Sequence, residues 1–598
     1  MTEIQNLTIE AVRESYVSGL ETPASLILKL RAQALAQASF NAWIYLLSEA
    51  ELQVYFDGLE RKPIDATPLW GIPFAIKDNI DLKQVTTSAG CEAFAYLPQE
   101  SATVVALLIE AGAIPLGKTN LDQFATGLVG TRSVFGEGKN VFNPDYISGG
   151  SSAGSAIATA LGQVTFALGT DTAGSGRVPA AFNNLIGHKP TKGLLSTEGV
   201  VPACKSLDCV SIFALTAEDV VHVLDVAAQP DDKDPYSRQN TAFNCAPYWG
   251  DDKPAAFSFG VPDQLDFDDD AESQALFNEA CKQLVTLGGK PVQIEFEPFL
   301  KTARLLYEGP WVAERAWATQ AVDRADMLPV IQEILASTEK FNVTDAFDSQ
   351  YKLQALKRIC DRELDKVDFV VTPTAPTCYL RSEIEKQPIA LNSKLGTYTN
   401  FMNLLDYAAT AVPIGRLSSK VSWGVTLFSR AFTDSRLLSF SGALQRQLNL
   451  PLGATPYSLG EAPKTGRVAP AKSVDVVVCG AHLLGQPLNW QLKDRGAELK
   501  LKTSTKPAYA LYALSDGKRP ALVPAKNGTA IEVEVWRLPM AEFGSFVAGI
   551  ASPLGIGKVA LESGASLPGF ICEEGGIANA EDISHFGGWR AYLATKQR

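Results

Sequence analysis

The sequence predicts an α/β protein, a sheet with helices on its faces, followed by a small, mainly β domain. Three observations carry this. From residue 70 onward, strand-like and helix-like runs alternate at 72–76, 103–110, 114–116, 152–161 and 164–168, as in a sheet layered with helices. From 450 to 470 the chain is rich in proline and glycine and has no periodicity, which marks a domain boundary. Beyond it, 474–480, 508–513 and 531–536 read as strands, the last alternating apolar and polar. A chain of 598 residues exceeds one ordinary core. The expected division is a first domain over 1–450, a linker over 451–472 and a second domain over 473–598.

Taken in order, 7–58 reads as helical, with Thr8 as a capping residue and Thr22-Pro opening a second helix that ends near Ala38. Ile72 to Ile76 form a buried strand with Lys77 at its polar end. Asp122, in the loop 119–127, reads as a helix cap, and Gly127 with its neighbouring backbone as pocket lining. Strands follow at 255–262 and 290–296, separated by an acidic turn at 266–270. A buried strand at 367–376 and a helix at 434–448 complete the first domain. Residues 573–598 read as a loop and a final helix.

Composition narrows the classes. Net charge is −13, from 53 basic and 66 acidic residues, which argues against binding nucleic acid by bulk charge. No basic region with an apolar core follows Met1, so no signal peptide is expected. The apolar run 104–116 is cut by Glu110, so no membrane span is expected. Nine cysteines without CxxC pairs read as buried thiols of a reducing, cytoplasmic compartment, and Cys204 with Cys209 lack the partners of a metal site.

The chemistry concentrates in two glycine-serine loops. One is Gly-Gly-Ser-Ser-Ala-Gly-Ser at 149–155, containing Ser151, Ser152 and Ser155. The other is Gly-Thr-Asp-Thr-Ala-Gly-Ser-Gly-Arg at 169–177, containing Ser175. Between them lie a small-residue helix and a buried strand, so the loops can meet in space. Amide hydrolysis needs an activated hydroxyl and donors for an oxyanion. The N–H groups of Thr172, Ala173, Gly174 and Ser175 are candidate donors. None of the four histidines sits in a Gly-x-Ser-x-Gly elbow, which favours a lysine base, and Lys77 is the best placed. Such a base must be buried to lose its proton near pH 7.

Lys77 and the two loops, with 74 residues from Lys77 to Ser151 and 24 from Ser151 to Ser175, resemble the amidase signature family over roughly 60–450. The resemblance implies an α/β/α sandwich around a mixed sheet. It also implies a Ser-Ser-Lys triad: Ser175 the nucleophile, Ser151 the bridging serine after a cis peptide bond, Lys77 the base. Ser152, Ser155 and Asp171 are left to hold backbone. Within the family the allophanate hydrolases are similar at Tyr307 and Arg315, which would grip a substrate carboxylate. These two are eight apart and share a helix face if the helix continues past Pro310; on the residues alone, a surface arginine paired with Glu308 or Glu314 is the other reading. The stretch 477–488 resembles the extra C-terminal domain of those enzymes, of γ-glutamylcyclotransferase-like fold, which implies an accessory domain that either assists breakdown of the first product, with His482, or serves assembly; on the residues alone a single histidine also reads as structural. The implied activity is hydrolysis of allophanate to ammonia and CO2 in urea degradation, without cofactor or metal. A homodimer is expected, and assembly with enzymes of the same pathway is a further expectation. The alternatives are another small-molecule amidase or a transamidase-type component of a complex.

Overall fold

The computed structural model describes residues 6–241, 244, 256–459 and 473–596. The chain divides into two compact units, Met1–Asn240 with Asp251–Lys464, and one built from Thr465–Arg598.

In the first unit, eleven strands among the described residues form one mixed sheet. In chain order they are β1 (Trp43–Leu46), β2 (Pro73–Lys77), β3 (Ile114–Thr119), β4 (Phe166–Asp171), β5 (Ile186–Lys189), β6 (Cys209–Ala214), β7 (Phe257–Pro262), β8 (Gly289–Ile294), β9 (Phe369–Pro373), β10 (Tyr407–Arg416) and β11 (Ser422–Arg430). Their spatial order is β1-β3-β2-β4-β6-β5-β10-β11-β9-β7-β8. The pairs β3–β2, β2–β4, β9–β7 and β7–β8 are parallel, the rest antiparallel. Strands β2 to β6 read as unbroken buried runs, as expected where helices cover a sheet. Phe74 stacks on Phe166 across β2 and β4, ring centroids 5.2 Å apart. Neighbouring parallel strands end on one side, so the residues that follow β2 and β4 converge.

The sequence expectation of an all-helical 7–58 needs correcting. Thr8 and Thr22 do cap helices Ile9–Val17 and Pro23–Ala36, but Trp43–Leu46 is β1, paired antiparallel with β3 at the sheet edge. Residues 451–459, expected as linker, fold back on the first unit: Asn184 Nδ2 donates to the carbonyls of Pro451 and Gly453, and Ala454 N–H to that of Ala160. The remainder of the expected linker, 460–472, lies outside the described residues.

The second unit has a five-stranded sheet and a three-stranded one. Its strands are β12 (Ser473–Val478), β13 (Glu498–Ser504), β14 (Tyr509–Ala513), β15 (Pro520–Pro524), β16 (Glu532–Pro539), β17 (Leu554–Ala560), β18 (Ser566–Cys572) and β19 (Glu581–Asp582). It has its own core, including Val476, Leu511, Val535, Trp536 and Trp589. A helix, Trp589–Lys596, follows the last strand. No helix among the described residues is long and apolar enough to cross a membrane.

Candidate active site

Lys77 closes β2 and is fully buried. Its Nζ lies 2.7 Å from the Ser151 hydroxyl and 2.7 Å from that of Thr170, on β4 next door. Burial pulls the Lys77 ammonium down to about 7, with Asp122, Asp208 and Asp171 opposing. Both partners are neutral hydroxyls, so no ion pair fixes the proton. Ser151 follows a cis peptide bond from Gly150 and precedes the helix Ala153–Ala160, whose residues are all buried.

Small residues in that helix have a packing reason. A Cβ on Gly154 would stand 2.1 Å from the Ala42 carbonyl oxygen and 2.5 Å from the Asn120 nitrogen. Ser152 and Ser155 satisfy β4 backbone: Ser152 Oγ donates to the Thr170 carbonyl and Ser155 Oγ to that of Leu168.

The loop after β4 is organised by Asp171. Its carboxylate accepts the N–H groups of Gly174 (2.8 Å) and Gly176 (3.0 Å) and pairs bidentately with the buried Arg177 (2.8 and 2.9 Å). Burial alone would push Asp171 up, but Arg177 holds it below the usual carboxylate range. Gly174 therefore departs from the sequence expectation. Its N–H is taken by Asp171 and does not serve an oxyanion. The N–H groups of Thr172, Ala173 and Ser175 have no acceptor among the described residues. Gly174 is required here all the same, with φ +134° and a would-be Cβ 2.4 Å from Thr399 Oγ1.

Ser175 is buried, and its hydroxyl donates to the Gly127 carbonyl at 3.3 Å, not to Ser151. Of the two links expected in the serine relay, the Lys77–Ser151 one is made in this conformation. Gly127 enters through its backbone oxygen. Asp122 stands at the N-cap position of the single turn Gln123–Ala125, but its side chain does not cap it: the carboxylate accepts the N–H groups of Val129, Gly130 and Arg132, tying the loop together.

Tyr307 and Arg315 do not share one helix. The first, Glu297–Glu308, stops at an extended Gly309, and Arg315 belongs to Val312–Ala318. They still meet, the guanidinium carbon 5.7 Å from the tyrosine ring centroid, an attractive cation–π distance. Arg315 is 3% exposed, so it is no surface arginine, and Glu314 accepts instead from Ser206. Arg315 Nη1 donates to Thr126 Oγ1 (2.9 Å) and the Ala125 carbonyl (3.5 Å); its Nε and Nη2 have no acceptor among the described residues. Tyr307 also lines a cavity of about 390 Å³ with Arg304, Thr397, Tyr398 and Asn400. That cavity touches neither Lys77 nor the two serines.

His482 sits in the second unit. Its Nε2 is 3.0 Å from Gln491 Oε1, and its ring stacks on Phe570 and meets Phe546 edge-on. Burial lowers its pKa below the usual histidine value, against the hydrogen bond with Gln491, and so favours the neutral ring.

Sequence reasoning missed Thr170, Asp208, Thr126 and Arg132. Thr170 stands inside the quoted motif, one residue before the aspartate, but only strand pairing brings it to Lys77. Asp208 accepts from Thr172 Oγ1 and from the N–H groups of Ala203 and Cys204, and burial raises it to about 6. No local pattern marks it.

Comparison with known proteins agrees with this geometry. Residues 27–438 match the amidase family, and 474–594 match the allophanate hydrolase C-terminal domain. The urea amidolyase of Saccharomyces cerevisiae is 42% identical over 577 residues, covering 92% of this chain and 31% of that protein. The chain thus spans about a third of the length of the urea amidolyases it matches. The solved structure of Kluyveromyces lactis allophanate hydrolase is 38% identical with a TM-score of 0.77, covering 100% of both chains. A solved glutamyl-tRNA(Gln) amidotransferase chain from Thermotoga maritima is 26% identical with a TM-score of 0.64, covering 76% of this chain and 99% of that one. Two buried serine loops, a lysine with a lowered pKa and these likenesses lead to one statement: the chain belongs to the amidase family and carries an allophanate hydrolase C-terminal domain.

Proposed function

We propose that the chain hydrolyses allophanate, releasing ammonia and CO2, through an acyl-enzyme on Ser175. The reading is carried by the 2.7 Å contact between the buried, easily deprotonated Lys77 and the Ser151 hydroxyl. The Ser175 hydroxyl turns from Gly127 to Ser151 and attacks the terminal carbamoyl carbon, its proton passing through Ser151 to Lys77. Catalytic hydrogen bonds are often looser before substrate arrives. The N–H groups of Thr172, Ala173 and Ser175 receive the oxyanion. Lys77 returns the proton through Ser151 to the leaving nitrogen, and ammonia departs. Water, deprotonated by the same relay, adds to the acyl carbon and frees Ser175. The product, N-carboxycarbamate, loses CO2 to give carbamate, which breaks down to ammonia and CO2. Arg315, with Nε and Nη2 open beside Tyr307, suits the planar carboxylate.

The scheme uses protein groups only. His482, neutral in an aromatic box, would assist the decarboxylation. A cytoplasmic, dimeric enzyme belongs to the same reading. Assembly with other urea-degrading activities is supported by the urea amidolyases, in which a comparable stretch is part of a longer chain.

The test is steady-state kinetics on allophanate and on a neutral amide. Ser175→Ala is expected to be inert on both. Arg315→Ala is expected to raise KM for allophanate by about tenfold or more, the loss of a charge-assisted pair, while sparing the neutral amide. Unchanged allophanate kinetics in Arg315→Ala, or ammonia release only with a partner protein, would overturn the proposal.

A further inference from the structure

Arg132 has no part in that scheme, yet it is 4% exposed and lies within electrostatic range of Arg315 and Tyr307. Its Nη1 donates to the Thr126 carbonyl (2.9 Å), its Nη2 to that of Pro388 (2.5 Å), and its Nε has no partner among the described residues. The Thr126 hydroxyl accepts from Arg315. One residue on, the Gly127 carbonyl accepts from Ser175. Before it, Phe124 and Ala125 hold φ of +51° and +52°, a region unfavourable to side-chain-bearing residues. The loop keeps its shape through the bond from the Thr126 hydroxyl to the Phe124 carbonyl, the Asp122 carboxylate, and anchors outside it that include the Ala89 carbonyl and Arg132.

We propose that Arg132 is a positioning residue for the nucleophile, and that Thr126 has two tasks: its carbonyl, held by Arg132, fixes Gly127, on whose carbonyl the Ser175 hydroxyl waits before it turns to Ser151, while its hydroxyl orients Arg315 toward the substrate carboxylate. The second half rests on the allophanate reading; the first does not.

The experiment pairs allophanate kinetics with the rate at which a fluorophosphonate labels Ser175, with melting curves for each variant. Arg132→Gln is expected to slow labelling and lower kcat by about tenfold or more, the effect of one lost charge-assisted hydrogen bond, with KM little changed. Arg132→Lys, keeping a cationic donor, is expected to fall between it and wild type. Thr126→Val is expected to raise KM for allophanate about tenfold, with labelling slowed less than about twofold. Wild-type labelling in folded Arg132→Gln overturns the proposal. Should that variant fail to fold, Arg132→Lys decides: labelling slower than wild type at an unaltered melting temperature supports the proposal, and equal labelling overturns it. A Thr126→Val effect on labelling as large as that of Arg132→Gln overturns the division of tasks. A chain inert on allophanate sinks the functional reading and the second half, while labelling still decides Arg132.

Discussion

Lys77 and Lys118 are both buried, on neighbouring parallel strands, and differ in one partner. Lys118 faces Asp78 at 3.1 Å; Lys77 faces two hydroxyls. Burial lowers both, but only Lys77 has no counter-ion in contact to hold its proton. Its neutral fraction grows through about 7, so kcat/KM is expected to rise with pH to a plateau about one unit higher. A profile flat across that range would exclude Lys77 as the base. Stability follows with a defined sign. The folded protein binds this proton more weakly than the unfolded chain, whose lysine has a pKa of about 10.4. Between about 7 and 10.4 the unfolded state holds more protons, so stability rises with pH there. Lys77→Met removes that dependence. It is expected to cut kcat at least a hundredfold yet melt higher than wild type at neutral pH, the gap narrowing as pH rises. A variant melting lower at pH 7 would show that the two hydroxyl contacts outweigh the desolvation. At this scale the lysine and both serines were legible because glycine-serine loops and a strand-end lysine leave a local pattern. Thr126 and Arg132 act through a carbonyl and a neighbour's carbonyl, which leaves none.

The helix Ala153–Ala160 and the strands under it show where the site gets its precision. Alanine for glycine within a helix is worth about 1 kcal/mol in favour, so propensity alone makes Gly154→Ala stabilising. Backbone atoms of Ala42 and Asn120 occupy the space its methyl would need, and overpacking of that kind typically costs about 1–3 kcal/mol. Close approach wins. Gly154→Ala is expected to lower the melting temperature by several degrees and to reduce kcat, since Ser151 is three residues away. An unchanged melting curve would mean that β1 and the loop after β3 can move aside. The alternation of strands and helices after residue 70 was readable because buried parallel strands are uniformly apolar. Trp43–Leu46 was not: four residues at a sheet edge, half-exposed and flanked by helices, carry too short a signal to separate strand from helix.

The two units hold separate cores. Those of the amidase unit draw on residues such as Phe299, Phe401 and Phe428, that of the second on Val535, Trp536 and Trp589. Each can satisfy its own apolar surface, so calorimetry of the whole chain is expected to show two transitions. A chain ending between 459 and 472 is expected to release ammonia from allophanate at the full-length rate; a rate lower by more than about tenfold, a general-acid-sized loss, would give the second unit a part in the first chemical step. Proline and glycine set the expected break, but 451–459 pack on the first unit through main-chain carbonyls, which have no residue signature.

The folded-back segment 451–459 bears on how such a chain is cut for study. Division at the composition break, after residue 450, would strip the acceptors from Asn184 and uncover the Ala160 carbonyl at the foot of the serine helix. A fragment made that way would lose activity through a frayed scaffold, and the loss would be charged wrongly to the missing domain.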